Sequence, residues 1–94
     1  MYGLIAKLTA APAKRDALIQ ILGDGTVSMP GCRAYVIAKD AADANAVWVT
    51  EVWDTQAAHD ASLTLPRVQK AITDGRPLIA GFERVAVTEP ARGV

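Results

Sequence analysis

The chain has 94 residues, of which 51% are hydrophobic and 18 are alanine, and its ten basic side chains are balanced by ten acidic ones. That length fits one domain with ample core material. Zero net charge argues against nucleic acid, which calls for a basic face, and no apolar run approaches the ~20 residues of a membrane span.

The single cysteine, Cys32, excludes an intrachain disulfide and suggests a reducing compartment. Met1 to Thr9 lacks the basic leader and extended apolar core of a signal peptide. The expectation is therefore a soluble, cytoplasmic protein.

Tyr2 to Leu8 predicts a first strand. Pro12 suits the first turn of a helix. Ala17, Leu18, Ile21 and Leu22 then form an apolar stripe opposite Lys14, Arg15, Asp16 and Gln20. Gly23-Asp24-Gly25 is expected to end that helix, because glycine tolerates the left-handed cap conformation. Pro30-Gly31 is turn chemistry, and a second strand follows from about Cys32 to Lys39. Asp40 to Asn45 reads as a hairpin loop and Ala46 to Trp53 as the third strand. Asp54 is expected to cap the helix after it.

Pro66 interrupts that helix, and a further segment with Val68, Ala71 and Ile72 on one face stops at Asp74-Gly75. Arg76 to Gly81 reads as a connector and Phe82 to Thr88 as the last strand. Residues 1–89 form the single expected domain, with 90–94 a flexible tail. The order β-α-β-β-α-β predicts an α+β, ferredoxin-like antiparallel sheet with helices on one face. Alternation along the strands is poor: Val47 and Val49 point one way, Trp48 and Val52 the other. Two helices cover one face only, so the other is expected to pack against a second copy, as a homodimer.

One histidine and one cysteine cannot supply the nitrogen and sulfur ligands that zinc or iron sites want, so no metal is expected within a subunit. Cys32 reads as a small buried apolar residue. Glu51-Val52-Trp53-Asp54 closes an apolar strand and opens the helix that carries His59, the only histidine. An imidazole can move a proton near neutral pH, and Trp53 can wall an aromatic ligand and offer an indole N–H. Glu51 shares the face of Trp53 and needs a partner or a raised pKa. Ser62, three residues after His59, is within hydrogen-bonding reach of it. Arg33, Arg76 and Arg84 are the cations that could meet Glu51 or an anionic ligand. The residue types also allow His59 on the solvent side and Glu51 paired with an arginine, and they favour the tryptophans as ordinary core.

Pro30-Gly31-Cys32 with Tyr35, Glu51-Val52-Trp53, and Leu63 to Val68 resemble, in order and spacing, the antibiotic biosynthesis monooxygenase domain. The likeness runs over nearly the whole chain. It implies a dimeric α+β barrel in which two sheets join face to face. It also implies a cofactor-free monooxygenase that oxidises a small electron-rich aromatic, a phenol or quinol, with dioxygen. On that resemblance His59, Trp53 and Glu51 would be catalytic and Tyr35 and Ser62 would contact substrate; the residues themselves add Trp48 as a further substrate contact.

Two departures stand out. Met29 occupies a place where a glutamate is common in the family. The helix histidine of many members lies nine residues after the signature tryptophan, at Ser62 here, whereas this chain's histidine comes three residues earlier. Two other functions remain open: a non-catalytic dimeric module, binding small molecules or related to stress, and a haem-binding or haem-degrading relative. The haem-degrading branch usually carries a first-strand asparagine, which Met1 to Thr9 lacks.

Overall fold

The computed structural model describes all 94 residues. Four strands, β1 (Tyr2–Ala10), β2 (Cys32–Lys39), β3 (Ala46–Trp53) and β4 (Ile79–Thr88), make one antiparallel sheet in the order β2-β3-β1-β4. Helices α1 (Arg15–Gly25), α2 (Gln56–Ser62) and α3 (Pro66–Gly75) complete an α+β, ferredoxin-like chain, and a short 3-10 turn (Arg76–Leu78) leads into β4.

The period-two pattern of β1 explains the layering. Leu4, Ala6, Leu8 and Ala10 are all buried. Register places Glu51, Val49 and Val47 opposite the first three of these, so the same residues of β3 share their face. Ile19 and Leu22 of α1 pack against Leu8, Val47 and Val49. A second cluster joins Met29, Trp53 and Val68, tying the turn before β2 to the end of β3 and to α3.

Several boundaries differ from the sequence expectation for local reasons. Pro12 lies outside α1, in a turn closed by Lys14 N–H donating to the Ala11 carbonyl, with Ala13 at φ 64°. Proline at the second place and a left-handed residue at the third is type II turn geometry. Gly23 and Gly25 do not cap α1 but lie within it, and Thr26 ends it by donating from Oγ1 to the Leu22 carbonyl. Gly25 is needed for closeness instead: a Cβ there would stand 2.4 Å from the Ala71 Cβ of α3.

Thr55, not Asp54, caps α2, its Oγ1 accepting from Ala58 N–H. Asp54 pairs with Arg33 on the surface. β4 begins three residues earlier than expected, because Ile79 pairs with Ala10 beyond a register shift. Gly31, at φ 78°, turns the chain into β2 where a Cβ would meet the Ala58 Cβ at 2.7 Å. No helix is long and apolar enough to cross a membrane.

Candidate functional site

Between the sheet and the helices lies a cavity of about 620 Å³, open on one side and lined mostly by apolar side chains. The sheet supplies Leu4, Ala6, Leu8, Tyr35, Val49, Glu51 and Trp53, while α1 with its cap residue and α3 roof it with Leu22, Thr26, Val68, Ala71 and Ile72. Its charged or titratable lining residues are Tyr35, Glu51, His59, Arg76 and Arg84.

Glu51, His59 and Ser62 are the buried polar residues of the chain. Period two on β3 sends Glu51 and Trp53 to the same face, where Trp53 Nε1–H donates to Glu51 Oε1 at 3.0 Å. The indole N–H is thus already committed to Glu51, which corrects the expectation that it is free for a guest.

α2 turns His59 inward. Its Nε2 lies 3.9 Å from Glu51 Oε1, near but beyond hydrogen-bonding distance. Trp53 meets the imidazole edge-on at 5.5 Å between ring centroids, and Tyr2 flanks it at 5.4 Å. The other ring nitrogen, Nδ1, is 3.1 Å from Asp60 Oδ1. An acceptor there favours the tautomer with hydrogen on Nδ1, which leaves the lone pair on Nε2. Ser62 Oγ donates to the backbone carbonyl of His59 at 2.6 Å, so the serine braces the helix rather than the ring.

Burial pushes the Glu51 carboxyl above its ordinary pKa, against the opposing pull of the Trp53 N–H, His59 and Arg84. Tyr35 sits opposite Glu51 across the β2–β3 pair. Its phenol is pushed up first by burial, then by the charges of Glu51 and Cys32. The Cys32 thiol is raised by burial and then by Glu51, which makes it a poor nucleophile.

Of the residues singled out in the sequence, His59, Glu51, Trp53, Tyr35 and Ser62 come together around one cavity. Trp48 does not. It projects from the opposite face of the sheet, donates from Nε1 to Asp40 Oδ2 at 2.8 Å and lies under Lys7. Its even position on β3, against the odd positions of Glu51 and Trp53, already separated it from them. Nothing in the periodicity marked Met29 or Phe82 as lining residues, since one lies in a turn and the other on an edge strand. No group of three or more histidine, cysteine, aspartate or glutamate side chains is placed to hold a metal ion.

A ferredoxin-like sheet roofed by helices over a mostly apolar cavity, with one buried carboxylate and one imidazole, defines an α+β protein with room for a small molecule. The profile of one family, described as antibiotic biosynthesis monooxygenase, matches residues 1–74, and the chain belongs to that family. A solved structure from Chloroflexus aurantiacus J-10-fl, named for the same family, is 55% identical with a TM-score of 0.95, over 99% of this chain and 95% of its own. Another, from Deinococcus radiodurans, is 24% identical with a TM-score of 0.81, over 100% and 96% of the two chains, and shares the fold. A third, from Nitrosomonas europaea, keeps the fold at 16% identity, with a TM-score of 0.87 over 98% and 100%. No curated protein is similar enough to match the chain.

Proposed function

We propose that the protein is a cofactor-independent monooxygenase that oxidises an electron-rich phenol or quinol with dioxygen inside this cavity. The observation that carries the reading is the buried His59–Glu51 pair opening on about 620 Å³ of mostly apolar space. Cavities of ~300–1,000 Å³ suit drug-sized guests, so a ring system of several rings has room.

His59 Nε2 takes the phenolic proton, and Glu51 balances the imidazolium that results. The ring anion then passes one electron to dioxygen. The aryloxyl radical and superoxide combine at a ring carbon that bears hydrogen, the imidazolium returns its proton to the peroxide, and loss of water with that ring hydrogen leaves the quinone. The ring is itself the reductant, and the apolar walls keep water from the intermediates. Trp53, Tyr35 and Ser62 shape the site: Trp53 as a wall that also holds Glu51, Tyr35 beside the carboxylate, and Ser62 through the carbonyl of His59. Residues 1–89 act as one unit in this reading, with 90–94 outside it.

The same reading makes the protein a homodimer joined through the sheet face away from the helices. Ile5, Val36, Ala86 and Thr50 share a band across that face by register, flanked by Gly3, Ala34 and Val52, and Val36 is half exposed in the single chain. Sedimentation equilibrium should give twice the chain mass, and a monomer at micromolar concentration would remove this part of the proposal.

Oxygen uptake with a reduced naphthoquinol in metal-free buffer tests the chemistry. Wild type should consume oxygen above the quinol's own autoxidation, and His59→Ala should lose at least about a hundredfold, the usual scale of general-base catalysis. Equal turnover by the two proteins would take His59 out of the mechanism.

A further inference from the structure

Two arginines of the cavity are free of any contact ion pair, although the charge of one, Arg84, reaches Glu51. Arg76 and Arg84 both line it, yet neither takes part in any ion pair or side-chain hydrogen bond. The other cation that the sequence set beside them, Arg33, is neutralised by Asp54 on the surface. Glu51 is the only carboxylate among the lining residues, and it is already engaged by Trp53 with His59 beside it.

The topology spreads these charges along the cavity. Trp53 and Glu51 lie opposite Tyr2 and Leu4, at the start of β1. Arg84 lies opposite Ala6 on the other flank of β1. Two strand spacings and two residues of rise separate the Glu51 and Arg84 backbones by roughly 12 Å. Arg76 comes further on, in the turn whose last residue, Leu78, accepts a hydrogen bond from Ala11 N–H at the far end of β1. The cavity therefore has an acid–imidazole pole beside β3 and two guanidiniums toward β4 and the far end of β1, a second pole that is not isolated, since the Arg84 charge still reaches Glu51.

We propose that this cavity selects aromatic guests that carry a carboxylate, with Arg84 and Arg76 gripping the acid group while the ring reaches toward His59. A guanidinium presents a planar fork that fits a carboxylate with two parallel hydrogen bonds and also stacks on aromatic faces. One ring system with the acid remote from the oxidisable position satisfies both poles at once. The reverse orientation would set the guest's carboxylate against Glu51. This assignment rests on the cavity being the substrate site proposed above, and it adds the charge class of the substrate.

Two probes of nearly the same shape test it: anthracene-9-carboxylate and the neutral anthracene-9-methanol, each titrated by calorimetry into the folded full-length protein without turnover. Exposed ion pairs are individually weak, so the two arginines together should favour the acid by about tenfold. The preference should shrink as salt rises from about 0.05 to 0.5 M, since screening shortens the reach of exposed charges. The double variant Arg76→Gln/Arg84→Gln should bind both probes equally.

Equal affinity in wild type, a preference that survives in the double variant, or failure of both probes to bind would overturn the assignment. The salt series on wild type decides the matter even if the variant does not fold. Oxygen uptake with the quinol, run on the same preparations, separates the two ideas. Turnover without acid preference sinks only the charge selection, whereas acid preference without turnover sinks only the monooxygenase reading.

Discussion

Gly23 and Gly25 sit two residues apart on α1 and should respond oppositely to alanine. Around Gly23 an added Cβ meets nothing within 4 Å. There the substitution only removes chain entropy from the unfolded state and improves helix propensity, a gain of ~0.5–1 kcal/mol. At Gly25 the same Cβ would stand 2.4 Å from the Ala71 Cβ and 3.1 Å from the Arg67 carbonyl oxygen. Carbon atoms prefer ~3.5–4.0 Å, so α1 and α3 must part by roughly an ångström or more. Overpacking of that kind costs ~1–3 kcal/mol, which outweighs the propensity gain of at most ~1 kcal/mol.

Taking the middle of each range, the net loss for Gly25→Ala is ~1 kcal/mol, or a Tm lower by ~4–8 °C for a domain of this size. Gly23→Ala should raise Tm by ~2–8 °C. Urea unfolding followed by the fluorescence of the buried Trp53, at one fixed protein concentration, reads both. Because Leu22 of α1, Thr26 at its end, and Val68 and Ala71 of α3 roof the cavity, Gly25→Ala should also weaken aromatic binding, while Gly23→Ala leaves it alone. A Gly25→Ala protein as stable as wild type would show that the two helices do not approach as closely as their backbones indicate.

Two further expectations concern the buried and exposed carboxylates. Glu51 has a raised pKa in the fold, so the native state holds its proton more tightly than the unfolded chain does. Its contribution is fully present below the ordinary value near 4.5 and is lost as pH rises through the folded value. Glu51→Gln, which can still accept from the Trp53 N–H, should therefore gain stability relative to wild type as pH is raised from about 4 to 8. A difference in unfolding free energy that is flat over that range would refute the buried-charge account. Asp40 runs the other way: the Trp48 indole first, then backbone N–H groups of Asp43 and Ala42, hold it down to about 2. Its contribution is present above the ordinary 3.8 and fades as pH falls toward that lower value. Trp48→Phe should return the Asp40 carboxyl toward the ordinary value in a carbon-13 NMR titration, and an unchanged midpoint would contradict the hydrogen bond.

Strand and helix content, the β-α-β-β-α-β order and the family were legible in the residues because each rests on local spacing. Alternation on Ala46 to Trp53 put Glu51 and Trp53 on one face, and the same alternation put Trp48 on the other, away from the cavity it was expected to line. Proline and glycine were legible as breaks but not in their roles. Pro12 belongs to a turn because Ala13 adopts a left-handed conformation, and Gly25 is small for the sake of a helix that arrives some forty residues later.

Other features depended on parts of the chain distant in sequence. The direction of His59 follows from where α2 lands on the sheet, which its own few residues do not encode. The Trp53 N–H is taken by Glu51, and of the three arginines that could have met Glu51 or an anionic ligand, the 3-10 turn brings Arg76 and β4 brings Arg84 to the cavity, while Arg33 pairs with Asp54 outside it. Periodicity acts over a few residues, so one-dimensional pattern reveals which face a side chain takes. Which groups then meet across the cavity, and which charge is left without a partner, is decided by packing between elements.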